Sequence, residues 1–222
     1  MDAVDAALAQ GGRESHAHEG NELAAPGRSE QGGAVTSPLD PPSAHAYALR
    51  PVRVADAPSV LAAHLSASDM ARQGTVTTLE QAREQVAWLL EEDRRATAIV
   101  DGRDALMGLV ALSIDRENRS GWFFYWLHAA HRGQGLVARA AATVADRALS
   151  PSAAGGWGLD RLELGHRVNN PASGAVARAA GFVQEGTERG KFLIDGERVD
   201  VLTYGRLRSD PGPAVPGLPW QP

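Results

Sequence analysis

The run Trp122-Phe-Phe-Tyr-Trp-Leu127, with the glycine loop behind it, constrains this chain more than any other feature. Large side chains at every position of an extended segment point alternately to both faces, so both faces must be covered. A polar loop, His131-Arg-Gly-Gln-Gly135, follows closely. Then Leu136, Ala140, Val144 and Ala148 recur at helical spacing up to Leu149. A buried strand, a glycine turn and an amphipathic helix in succession belong to an α/β domain with a mixed sheet.

The flanking sequence fills in the order of elements. Tyr47–Val54 reads as a first strand, with Pro51 confining it to an edge or bulge. Asp56 is placed to cap a short helix over Pro58–Leu65. Thr77-Thr-Leu-Glu80 has the form of a capping box, opening a helix that runs to about Asp93. Between these helices Met70–Gly74 reads as a flexible loop. Ala96–Val100 and Ala105–Ile114 are joined around Asp101-Gly102, a hairpin signal. After the glycine loop and its helix, Asp160–Arg167 reads as a strand. Asn170-Pro171 is an N-cap followed by proline at the first helical position, and Gly181 ends that helix. Phe182–Ile194 and Glu197–Leu207 flank Asp195-Gly196, a second hairpin. The expected order is β-α-α-β-β-β-α-β-α-β-β, in one domain over residues 46–208.

Composition bounds what lies outside that domain. Residues 1–45 hold seven acidic and two basic residues, no aromatic, six glycines and four prolines. Such a segment cannot bury enough apolar surface to offset its ordering entropy, so a disordered acidic tail is expected. His16 and His18 lie in it, and two imidazoles alone make a weak metal site. Residues 209–222, with five prolines, read as a C-terminal tail. The net charge of −5 argues against a nucleic-acid binder. No apolar run approaches the roughly 20 residues of a membrane span, and no secretory signal is read at the N-terminus. A soluble cytoplasmic protein without a metal site, monomeric or homodimeric, is expected. The chain has no cysteine, hence no thiol nucleophile.

The glycine loop carries the chemistry. Gly133 and Gly135 allow backbone N–H groups to approach an anion closely, and the helix from Leu136 directs its unpaired N–H groups and positive end to the same point. Arg132 adds a permanent charge. This suits a pyrophosphate, although the same glycines also serve a plain strand-to-helix turn. Gly133–Ala138 fits G-x-G-x-x-A, the dinucleotide fingerprint. Against that reading, His128–Arg132 separate the glycines from the strand, the motif lies late in the domain, and no acidic strand end follows about 20 residues on. A P-loop is excluded, because the only lysine is Lys191.

Three segments together resemble the GNAT superfamily of acyl-CoA-dependent N-acetyltransferases, and within it the RimJ/RimL-type branch. They are Tyr125–Leu127 with His131–Leu136; Arg167–Phe182, with Asn170, Ser173 and the Gly181-Phe182 ending; and Glu185-Gly186 with Gly196, Asp200 and Tyr204. The resemblance implies a mixed sheet flanked by helices, whose fourth strand bulges near Leu127–His128 and splays from the fifth. It implies that acetyl-CoA, the cosubstrate, enters the wedge. The amides of Gln134, Gly135, Leu136 and Val137 then hold its pyrophosphate with Arg132, and the backbone at Leu127 or His128 polarises the thioester carbonyl. Asn170 lies near the acetyl group.

The implied activity is direct acetyl transfer to a primary amine, either a protein N-terminus or a small molecule. The alternative is a non-catalytic acyl-CoA-binding or regulatory module of the same fold. Ser173 matches the branch's thiolate-side hydroxyl, and equally serves as local helix structure. The family's usual base positions hold Ala177, Phe192 and Gly165 here. Glu163, on the same strand face as Gly165, is the candidate base acting through water. His166 and His128 are further candidates, because an unperturbed imidazole has a pKa of roughly 6.5.

Overall fold

The structure is a computed structural model that describes residues 47–221. The acidic tail expected over residues 1–45, with His16 and His18, lies outside the described residues. Strand β4 (Ser120–Leu127) carries the aromatic run. Its alternation divides the core in two: Phe123 packs on Phe182 at 5.4 Å between ring centroids on one face, and Phe124 on Trp88 at 5.8 Å on the other. Helices α1 (Ala57–His64) and α2 (Leu79–Leu89) cover the Phe124 face. Helices α3 (Leu136–Leu149) and α4 (Pro171–Ala179) cover the Phe123 face. A strand so enclosed has no polar face, as its sequence requires.

The other strands are β1 (Tyr47–Pro51), β2 (Arg94–Asp101), β3 (Leu106–Asp115), β5 (Arg161–Arg167), β6 (Val183–Ile194) and β7 (Glu197–Leu207). They form one seven-stranded sheet in the order β1-β2-β3-β4-β5-β7-β6. Every neighbouring pair is antiparallel except β4–β5, which is parallel and registers only Ser120↔Arg161, Gly121↔Leu162 and Trp122↔Glu163. Beyond Trp122 the two strands part. The bulge expected near Leu127–His128 is not present: β3 and β4 stay in register from Asp115↔Ser120 to Gly108↔Leu127, and His128 N–H still donates to Met107 O at 2.8 Å. The wedge is made by β5 turning away, without a break in β4.

Local details depart from the sequence expectation for identifiable reasons. The reciprocal cap of α2 is formed by Thr78 and Gln81, one residue later than Thr77 and Glu80. That helix stops at Leu89, because Asp93 already belongs to the sheet margin, its carbonyl accepting from Ile114 N–H. Asp56 precedes α1 but does not cap it. Its carboxylate takes both ends of the buried Arg50 guanidinium, at 2.8 and 2.9 Å, and the Arg53 amide at 2.8 Å. Arg50 also reaches Asp104, and these carboxylates hold its guanidinium well above its ordinary pKa. The buried charge is thus matched by two anions.

Over its described residues, 208–221, the segment after β7 has no helix and, apart from one bridge, no strand, but it is docked. Leu49 N–H donates to Pro219 O, Gln221 N–H donates to Leu49 O, Leu218 is buried, and Arg147 stacks 4.2 Å over the Trp220 ring. It covers the outer edge of β1, which would otherwise present unpaired backbone groups.

Candidate active site

Where β5 leaves β4, a cavity of about 290 Å³ opens. Its floor is Tyr125–Leu127 of β4. One rim is the glycine loop and the first turn of α3, one wall is α4 with Asn170 and Ser173, and the opposite wall is a 3-10 turn over Ser68–Gln73. The sequence-derived residues Leu127, Arg132, Gly133, Gly135, Leu136, Val137, Asn170 and Ser173 all line it. Gln134 and His128 adjoin it without lining it.

The rim has the form of an anion cradle. Gly133 and Gly135 have φ of +78° and +70°, in the left-handed region that glycine alone adopts cheaply. A Cβ at either would meet nothing within 4 Å, so the space in front of the loop is open. No side chain caps α3, and its first hydrogen bond runs from Arg139 N–H to Gly135 O. The amides of Leu136, Val137 and Ala138 therefore precede the helical ladder and are available to a ligand at the helix's positive end.

The α4 wall is built by local rules. Asn170 Oδ1 accepts the Ser173 amide at 3.2 Å, and Pro171 occupies the first helical position. This cap places Ser173 Oγ 2.7 Å from the Tyr125 hydroxyl, which also donates to Ser173 O at 3.0 Å. Sequence reading missed Tyr125 as a site residue, because a tyrosine within five other large apolar residues looks like core. Alternation along β4 was the available signal, since Tyr125 shares a face with Leu127 and α4.

The candidate bases fare differently. The structure does not bring Glu163 to the cavity. It registers with Trp122, at the closed end of the wedge, and its carboxylate accepts from Arg161 Nε at 2.8 Å. Gly165 faces the Trp122 ring, so a Cβ there would press tightly on Val201 and Trp122, at 3.1 and 3.3 Å. His166 is buried, stacked on Tyr204 at 5.3 Å, with Nδ1 on Arg167 O and Nε2 on the Tyr204 hydroxyl. It supports the sheet and α4, whose Gly174 approaches the ring closely. His128 accepts the Ala130 amide on Nδ1; burial and the charges of His131 and Arg132 hold its imidazole below its ordinary pKa.

The Ser68–Gln73 wall replaces the flexible loop expected there. Met70 and Gln73 are buried, three residues apart on one side of the 3-10 turn, and anchor it. Arg132 ties this wall to the rim: Nη1 donates to Asp69 Oδ2 at 2.7 Å, Nη2 contacts Met70 Sδ at 3.0 Å, and Nε donates to Leu127 O at 3.3 Å. Among the described residues no group of three or more His, Asp or Glu side chains is placed to hold a metal, and no helix is long and apolar enough to cross a membrane.

The acetyltransferase (GNAT) domain family matches residues 47–183. The ribosomal-protein-serine acetyltransferase of Escherichia coli is 31% identical over 105 residues, covering 47% of this chain and 56% of that protein. The aligned stretch thus spans little more than half the length of that relative. A chimera of the spermidine N-acetyltransferase from Vibrio cholerae and hSSAT is 25% identical with a TM-score of 0.60, over 73% of this chain and 96% of that one. The ribosomal alpha-N-protein acetyltransferase RimL shares the fold, with a TM-score of 0.61 over 75% of this chain and 92% of that one at 24% identity.

Proposed function

We propose that this chain, which belongs to the GNAT acetyltransferase family, transfers an acetyl group from acetyl-CoA directly to a primary amine. The observation that carries the reading is the joining of an open anion cradle and a hydroxyl pair in one cavity at a sheet wedge. The residues fit the cosubstrate. The cradle is roomy and rich in N–H donors, and the edge of β4 beyond Trp122 is not paired to β5. Acetyl-CoA supplies the thioester, whose C–S bond breaks as a C–N bond forms to the amine.

The chain's own groups then divide the work. The amides from Gln134 to Val137, with Arg132, hold the pyrophosphate, and the backbone at Leu127 or His128 polarises the thioester carbonyl. Asn170 fixes Ser173 through the helix cap. Ser173, hydrogen-bonded to Tyr125, is the hydroxyl that protonates the departing sulfur; the acceptor nitrogen, which enters as the neutral amine after losing one proton to solvent, releases a second as the C–N bond forms, and that proton restores the hydroxyl. With no cysteine in the chain, transfer needs no thiol relay. Glu163, read from the sequence as a base acting through water, is paired with Arg161 away from the cavity, which favours holding the amine in place as the main source of acceleration.

Calorimetric titration with acetyl-CoA, with NADH in parallel, and CoA release over a panel of primary amines test this. Acetyl-CoA is expected to bind one to one, NADH not at all, and at least one amine to turn over. Gly135→Trp is expected to abolish both while the circular dichroism stays native. Binding with no turnover on any amine would support a non-catalytic acyl-CoA-binding module. Absence of binding would remove the assignment.

A further inference from the structure

We infer that His166 is a positioning residue for Ser173: its ring takes the volume that a side chain at Gly174 would need, and so sets how deeply α4 seats against β5 and where the Ser173 hydroxyl stands. This deepens the acetyltransferase reading and rests on it. The starting point is a residue that helix chemistry disfavours. Glycine is the poorest helix former after proline, yet Gly174 lies buried inside the nine-residue α4. So short a helix depends on its packing for stability, and the glycine calls for a reason outside the helix. The reason is distance. A Cβ at Gly174 would stand 2.7 Å from His166 Nε2 and 3.1 Å from Cε1. Arg178 Nη1 is also near, at 3.2 Å, but it ends a long, exposed side chain that has room to move.

The imidazole has no such room. It is buried, and its ring stacks on the equally buried ring of Tyr204. A carbonyl oxygen only accepts, so Nδ1 carries the proton donated to Arg167 O at 2.9 Å, and Nε2 of the neutral ring accepts from the Tyr204 hydroxyl at 3.3 Å. Stacking fixes the plane of the ring, and the two hydrogen bonds fix its rotation within that plane. His166 is thus a rigid stop, rising from β5 beneath the first turn of α4. What the stop governs is one residue away. Gly174 and Ala177 are buried against the sheet, while Ser173 and Val176 line the cavity. A hydrogen-bonded helix shifts as a body, so lifting Gly174 off the sheet carries Ser173 with it. Tyr125 does not follow, because it belongs to β4, and the 2.7 Å contact between the two hydroxyls is what the displacement breaks.

The test is kinetic and uses the full chain with acetyl-CoA and a panel of primary amines that includes a Ser-Ala-Ala amide and spermidine, each variant being assayed well below its melting temperature. Gly174→Ala restores a good helix former but drives its methyl into the ring. Its kcat is expected to fall about 100-fold, the scale for an ångström of misplacement, with the acetyl-CoA KM changed less than about threefold because the cradle lies on α3. His166→Ala removes the stop and keeps the glycine, and is expected to lower kcat about tenfold. The double variant is expected to turn over faster than either single one, since the methyl then occupies the space that the ring has left. Its comparison with His166→Ala stands even where Gly174→Ala alone does not fold. In a Ser173→Ala background, Gly174→Ala is expected to cost less than about twofold, because the displacement acts through that hydroxyl. Losses that add in the double variant, wild-type kcat in His166→Ala, or a full Gly174→Ala loss without the Ser173 hydroxyl would overturn the positioning role and leave acetyl transfer standing. A wild-type protein that turns over none of the amines would remove the parent reading, and this inference with it.

Discussion

Tyr125 and Ser173 are joined by a 2.7 Å hydroxyl contact, so their contributions are expected to be coupled. Tyr125→Phe and Ser173→Ala should each lower kcat, by about 100- to 10,000-fold for loss of a positioned proton donor. The acetyl-CoA KM should change little. The double variant should be no worse than the poorer single one, because the pair acts as a unit; additive losses in CoA-release kinetics would show that the two hydroxyls work separately. His64 makes a different prediction. It is buried edge-on to Trp126, and burial lowers its imidazole pKa against the smaller opposing pull of Gly74 and Gln85. A histidine with a lowered folded pKa contributes stability that is present above the unfolded value of about 6.5 and lost as pH falls. Melting temperature should therefore decline from pH 7.5 to pH 5, and less steeply in His64→Phe, which keeps the ring contact without a titrating group. An unchanged slope in that variant would show that other groups dominate. Ser173 was legible in the sequence, but its contact with Tyr125 and the burial of His64, one of seven histidines, were not. Their meaning depends on which neighbours the fold brings and which it withholds.

At the scale of elements the sequence was far more informative, because period and punctuation are local properties. The alternation of β4, the Asn170-Pro171 cap and the Asp195-Gly196 turn each act over a few residues, and each appears where its chemistry demands. What escaped was tertiary. Asp56 looks like a cap until Arg50, brought alongside by β1, takes its carboxylate. Met70–Gly74 looks like a loop until Met70 and Gln73 find a cavity wall to complete. Glu163 shares a face with Gly165, yet it stands at the closed end of the wedge, which only the strand register reveals. The rim is an element-scale device with its own test. Gly135 holds φ +70° with open space before it, so alanine meets no collision but must adopt a conformation costing about 1–2 kcal/mol. Gly135→Ala should therefore lower the melting temperature by a few degrees and weaken acetyl-CoA binding about tenfold or more, as the first-turn amides lose their aim. A calorimetric affinity equal to wild type would mean that those amides do not hold the ligand.

Across the whole molecule, stability and ligand binding are built from different parts. The wedge weakens the sheet at its centre, where β4 and β5 share three registered pairs, and the packing on both faces must hold the halves together. The docked C-terminal segment contributes to this from outside. Ala214 N–H donates to Ala179 O at the end of α4, Leu218 N–H donates to Thr143 Oγ1 on α3, and Pro219–Gln221 bracket Leu49 of β1. One strap thus ties two helices of one face to the edge of the sheet, and none of its residues lines the cavity. Truncation after Arg208 should expose the Leu218 site, remove the Trp220 contact and strip two backbone partners from Leu49, a loss of about 2–5 kcal/mol. For a chain of this size that corresponds to a melting temperature lower by roughly 5–15 °C. The bared edge of β1 should also promote self-association that grows with protein concentration. Below its melting point the truncated protein should still bind acetyl-CoA with near wild-type affinity, because the cradle and both cavity walls are intact. Trp220→Ala, which keeps the backbone bridge, should lose less stability and remain unassociated. Scanning calorimetry, sedimentation and acetyl-CoA titration of the two variants separate the effects. A truncated chain that melts within about 2 °C of the full one and stays monomeric would show that residues 209–221 merely rest on the fold.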